Sequence, residues 1–198
     1  MRIDPNLNFS VLPNASRASE FGRRLNARGF EVLCHLPMEP LDYPRESPGP
    51  NAIMTSMSND QIAETTREAV AAIPYARGVN NHMGSRATRD RRVMTSVLSS
   101  LPKGWYFIDS RTTSGSVAES VARELKIPTT GRDVFLDDVQ SELAVRHQLR
   151  ELVAVAQARG SAVGIGHIYP VTVKVLREEI PNLRTRGVRL VRASAAVD

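Results

Sequence analysis

Three of the four histidines in this chain of 198 residues close short apolar runs. His35 stands in Val-Leu-Cys-His-Leu-Pro-Met-Glu-Pro, His82 in Gly-Val-Asn-Asn-His-Met-Gly-Ser-Arg and His167 in Ile-Gly-Ile-Gly-His-Ile-Tyr-Pro. Neutral imidazoles are metal ligands, and two of them with a carboxylate leave an open position for water. An ion held that way lowers the pKa of its water and polarises a carbonyl, and a further carboxylate or imidazole moves protons. His35, His82, Asp109 and His167 supply those residue types, so the chemistry to look for is metal-assisted hydrolysis. Each residue also has an ordinary reading. A strand-end histidine is commonly a hydrogen-bonded loop residue. Asp109, followed by Ser110 and Thr112, suits a turn equally well. Arg86, Arg111 and Arg132 serve as ion-pair partners as readily as substrate clamps. His147, near Arg146 and Arg150 in a helical pattern, reads as a surface or packing residue. Cys34 precedes His35 on a strand and points to the opposite face, which places it in the core rather than in a nucleophile's position.

The elements that must position these residues are legible from punctuation. Apolar runs at 9–12, 31–36, 78–81, 105–109, 133–136, 162–166 and 188–192 read as buried parallel strands. Helical patterns lie between them, over 19–28, 60–73, 89–101, 116–125, 139–159 and 171–186. Ser58 and Gln61 have the spacing of a capping box. Pro170 opens a helix, and Gly29, Gly160 and Gly187 close others. Alternation of this kind implies an α/β fold with a parallel sheet, open or closed into a barrel of about seven strands. Right-handed crossovers then put every strand C-terminus on one face, and the strand-end histidines are expected to share its mouth. The long connection from Pro37 to Met57 carries five prolines and is expected to be a stiff, ordered loop.

Composition narrows the function classes. The single cysteine excludes an internal disulfide framework. No stretch approaches the ~20 apolar residues of a membrane span, and residues 1–8 lack a signal-peptide pattern. The net charge of +5 comes almost wholly from arginine, scattered beside acids; a nucleic-acid surface would gather that charge in one patch. No dinucleotide fingerprint, phosphate-binding loop or serine-hydrolase elbow is present. Aromatics are sparse, at 5% of residues, so a long aromatic stacking platform is not expected.

The segments Phe-Ser-Val-Leu-Pro-Asn-Ala (9–15), His-Leu-Pro-Met-Glu-Pro (35–40), Gly-Val-Asn-Asn-His-Met-Gly-Ser-Arg (78–86), Asp-Ser-Arg-Thr-Thr (109–113), Arg-Asp-Val-Phe-Leu-Asp (132–137) and Ile-Gly-His (165–167) resemble the divergent polysaccharide deacetylase family in order and spacing. The resemblance implies a distorted (β/α) barrel of the carbohydrate-esterase kind over 1–198. It implies removal of acetyl groups from an acetylated polysaccharide or cell-wall glycan, with a divalent metal such as Zn2+. His35 and His82 match the histidines expected near the metal. Asp109 and Arg111 match a site-wall segment, and His167 matches the histidine near the leaving group. Asn81, Arg86, Arg132, Asp137 and Tyr169 are the candidate substrate contacts, and Asp133 belongs to the same motif as Asp137.

One departure bears on all of this. The family opens with a strand ending Ile-Asp-Asp-Leu-Gly, which supplies a base and a ligand, and Asp4 lacks the doublet and the glycine. The expectation is therefore a single domain without the family's first strand. The alternative is a catalytically impaired glycan-binding or cell-envelope module of the same fold. Location follows the start: cytoplasmic if Met1 is native, periplasmic or exported if a leader precedes it.

Overall fold

A computed structural model describes residues 3–198. They form two compact units, one of Asn8–Gly131 with Val197–Asp198, the other of Arg132–Ala196 with residues 3–7. Every strand pair is parallel, and six α-helices are present among the described residues.

The larger unit is built on a five-stranded sheet whose spatial order follows the chain, β1 to β5. The strands are Asn8–Val11 (β1), Glu31–Met38 (β2), Ala76–Met83 (β3), Tyr106–Asp109 (β4) and Thr129–Gly131 (β5). The connecting helices are Ala18–Ala27 (α1), Asn59–Ala72 (α2), Arg91–Ser99 (α3) and Ala118–Glu124 (α4). Along β2 every residue except His35 is buried. That continuous apolar run is what a strand covered on both faces requires. Leu36, Met38, Ile53, Ile62, Val79, Met94 and Phe107 form one core with it.

Helix α2 starts at the expected capping box: Ser58 Oγ accepts from the Gln61 N–H, and Gln61 Oε1 accepts from the Ser58 N–H. Asp90 caps α3 through the Val93 N–H. The proline-rich connection is ordered by short main-chain bonds. The Ile53 N–H donates to Pro37 O at 2.8 Å, and the Glu39 N–H donates to Ile53 O at 2.9 Å. Buried Glu39 accepts from the Thr55 N–H and hydroxyl, both at 2.6 Å.

The smaller unit pairs Val134–Phe135 (β6) with Gly164–Ile165 (β7) and carries Glu142–Arg159 (α5) and Pro170–Glu179 (α6). Ser141 caps α5, and Gly160 ends it at φ 88°. Val145, Leu149 and Val175 pack between the two helices. Two sequence expectations are corrected. The run 188–192 is not a strand; Val188 and Leu190 instead pack on Val153, Ile180 and Leu183. Helix α6 stops at Glu179, ahead of Pro181, and its expected remainder forms 3-10 turns. The seventh strand is β5, whose Thr129 is buried and donates its hydroxyl to Phe107 O.

Candidate functional site

Each unit carries a histidine centre of its own. In the larger unit, register builds it. His35 is opposite Asn80, and Pro37 is opposite His82. Residues two apart share a strand face, so His35, Asn80 and His82 lie on one side of β2 and β3. The rings meet edge to face, their centroids 4.9 Å apart. His35 Nε2 is 3.2 Å from His82 Nδ1, and His35 Nδ1 is 3.1 Å from Asn80 Oδ1.

Asn81 faces the other way and is fully buried. Its amide donates to Met83 O at 2.7 Å and accepts from the Ser110 N–H at 2.9 Å. This clamp holds the left-handed turn of Met83 (φ 52°) and Gly84 (φ 89°). A side chain at Gly84 would sit 3.0 Å from Met38 Cβ, so glycine is required on both counts.

Asp109 ends β4, buried, with both oxygens engaged. Oδ1 accepts from the Arg111 N–H at 2.8 Å and Oδ2 from the Ser116 hydroxyl at 2.7 Å. It shapes the loop leading to α4. Arg111, at φ 46°, lays its guanidinium against Gly131 and pairs with Glu119 at 2.7 Å. Arg86 donates to Leu41 O at 2.8 Å and stands 3.5 Å from Glu39. It ties the turn after β3 to the proline-rich connection.

In the smaller unit, His167 and Asp137 form the second centre. Asp137 is buried and takes three donors: the His167 N–H at 2.6 Å, His167 Nδ1 at 3.1 Å and the Thr172 hydroxyl at 2.8 Å. The imidazole itself is about half exposed, flanked by Phe135 at 5.6 Å and Tyr169 at 5.0 Å between ring centres. Arg132 lies over the Phe135 ring at 5.3 Å. Asp133 accepts from the Val163 N–H and pairs with Arg159, which secures β6 beside β7.

The candidate residues thus fall into His35 with His82, and His167 with Asp137 and Tyr169. Asn80, Ser110 and Thr172 are partners that the sequence did not single out for the site. The spacing of Asn80 two residues before His82 is the signal that puts both on one face. Cys34 is fully buried and donates to Ala69 O; burial pushes its thiol up to about 12, far from a nucleophile's range.

The sequence matches the profile of a family described as divergent polysaccharide deacetylase, over residues 1–197. It is 38% identical over 194 residues to the uncharacterized protein YibQ of Escherichia coli (strain K12), covering 97% of this chain and 60% of that protein. It is 33% identical over 178 residues to an uncharacterized protein of Haemophilus influenzae, covering 89% of this chain and 63% of that one. The chain therefore spans about 60% of the length of these relatives. Two solved structures share the fold. The uncharacterized protein ATU2773 of Agrobacterium tumefaciens C58 superposes with a TM-score of 0.94 at 22% identity, over 98% of this chain and 80% of that one. The lactam utilization protein of Thermus thermophilus gives 0.64 at 16% identity, over 96% and 90%. No helix among the described residues is long and apolar enough to cross a membrane.

Proposed function

The chain belongs to the divergent polysaccharide deacetylase family, and from that premise we propose that it takes part in metal-dependent removal of acetyl groups from a glycan. The observation that carries this reading is the 3.2 Å separation of His35 Nε2 and His82 Nδ1. By themselves the two nitrogens are a hydrogen-bonding pair; nitrogens bound to one zinc ion at ~2.0–2.1 Å lie a similar distance apart. His35 also directs its other ring nitrogen at a fixed oxygen on Asn80, as metal-bound histidines usually do. The pair fits a divalent ion as two of its ligands. The described residues contain no group of three metal-ligating side chains, so the pair offers an ion two side-chain ligands where a usual catalytic zinc site has three.

When bound, such an ion polarises the acetyl carbonyl and makes water a better nucleophile. In the smaller unit, the side chain built to move a proton is His167. Asp137 holds the imidazole by Nδ1 and holds its main chain by the N–H. With Nδ1 committed, Nε2 is the atom that takes or gives a proton. Thr172 donates to Asp137 and keeps the carboxylate from turning away.

Two ligands without a third also suit the second reading, a module that binds the glycan without cleaving it. Zinc content and acetate release from acetylated chitooligosaccharides and cell-wall glycan separate the two. Stoichiometric zinc with acetate release, both lost in His82→Ala, supports the deacetylase. Glycan binding that survives chelation and His82→Ala, with no acetate released, replaces it with the binding module.

A further inference from the structure

The hydrogen bonds behind the histidine pair have a direction, and the direction can be read from the main chain outward. A backbone N–H only donates and a backbone carbonyl only accepts. The Ser110 N–H donates to Asn81 Oδ1, and Met83 O accepts from Asn81 Nδ2, so the orientation of Asn81 is set. The Asn81 carbonyl accepts the Ser110 hydroxyl proton at 2.8 Å. Ser110 Oγ has one proton to give, so toward Asn80 it is an acceptor, and it receives Nδ2 of that side chain at 3.3 Å. The oxygen of Asn80 is then turned onto His35 Nδ1. An amide oxygen accepts only, so Nδ1 carries the ring proton and Nε2 the lone pair. That Nε2 is the atom facing His82.

We propose that Asn80, backed by Ser110, is a positioning residue that locks neutral His35 as its Nδ1–H tautomer with the Nε2 lone pair turned toward His82. This rests on the reading of His35 and His82 as ligands, and it adds how their geometry is set. Asn80 touches neither ion nor substrate; it acts through the ring. The Ser110 of the Asp-Ser-Arg segment thereby joins the end of β4 to a centre built on β2 and β3.

Two measurements test it. Two-dimensional 1H–15N spectra of the metal-free protein identify the protonated nitrogen of His35. Titration with Zn2+ gives the affinity. The wild type is expected to show Nδ1–H. Asn80→Ala is expected to mix the tautomers and weaken Zn2+ binding about 10–100-fold, the usual loss when the partner of a metal-bound histidine is removed. In Asn80→Asp a carboxylate oxygen still accepts from Nδ1 and the Ser110 hydroxyl turns to donate, so tautomer and affinity return to at least the wild-type level. Ser110→Ala gives a smaller loss of the same kind. An Nε2–H His35 in the wild type overturns the proposal, as does a folded Asn80→Ala with unchanged tautomer and affinity. Its failure is distinct from that of the functional reading. Nδ1–H in a protein that binds no Zn2+ upholds the lock and defeats the metal reading. Tight Zn2+ binding with Nε2–H does the reverse.

Discussion

The two histidine centres set the same side chain against different partners. On β2 and β3, His35 meets an amide oxygen at one nitrogen and a second imidazole at the other. After β7, His167 meets a buried carboxylate. An amide partner fixes a neutral ring and leaves a lone pair in a fixed direction, as ligation requires. A carboxylate partner fixes the ring in the same way and leaves the far nitrogen of His167 open to solvent. The settings differ as well: His35 is the one partly exposed residue of a strand otherwise buried, whereas His167 lies about half exposed at the mouth of a short two-stranded sheet. The contrast teaches that either acceptor can aim the ring, and that what lies at its far nitrogen, a second imidazole or open solvent, separates the two settings.

Substitutions break this comparison in order of expected size. On the proposed function His82→Ala removes a ligand, so Zn2+ affinity should fall by more than the ~100-fold typical of losing an outer partner, as read by calorimetric titration; retained affinity would separate the pair from the metal. His167→Ala should lower the rate of acetate release about 10²–10⁴-fold while Zn2+ affinity stays at the wild-type value, and a parallel loss of both would erase the division of labour. Asp137→Ala strands the donors of His167 and Thr172, and Glu39→Ala strands those of Thr55; each should cost about 1–3 kcal/mol in chemical denaturation. Of those two, only Asp137→Ala should also slow acetate release.

The smallest effect concerns Cys34. Its folded thiol titrates at about 12 against an ordinary value of 9.0. Folding therefore favours the protonated form. The stability this confers is whole below pH 9 and fades as pH climbs from there toward 12. At pH 8 a disulfide reagent should find no reactive thiol in the native protein and one after denaturation. Rapid native labelling would contradict the buried position.

Where sequence reading succeeded, a chemical device marked the spot. Ser58 with Gln61, Pro170 and Gly160 fix helix ends by local hydrogen bonding and backbone geometry, so they read the same in any fold. Where it failed, the deciding partner was distant. Val188 and Leu190 are apolar because they cover Val153 and Ile180, and a packing run has the same letters as a strand. Thr129 to Gly131 is three residues long and polar in composition, yet it joins the sheet by pairing in parallel with Phe107 to Asp109, and the Thr129 hydroxyl is satisfied by Phe107 O. The nearness of His35 and His82 depends on the register of β2 against β3, which neither segment states alone. Asn80 takes its meaning from Ser110, thirty positions later.

Asp137 fastens two neighbouring pieces of the smaller unit that lie 30 and 35 positions further along the chain: the segment leaving β7, through the His167 N–H, and the first turn of α6, through Thr172. The aim of the imidazole and the anchoring of a helix thus hang on one carboxylate. Gradual tuning of acidity there is closed off, since any replacement that retunes the ring also unfastens the scaffold. Adjustments to this centre have to come from its flanks instead, at Phe135 and Tyr169, where a ring can be exchanged without disturbing the anchor.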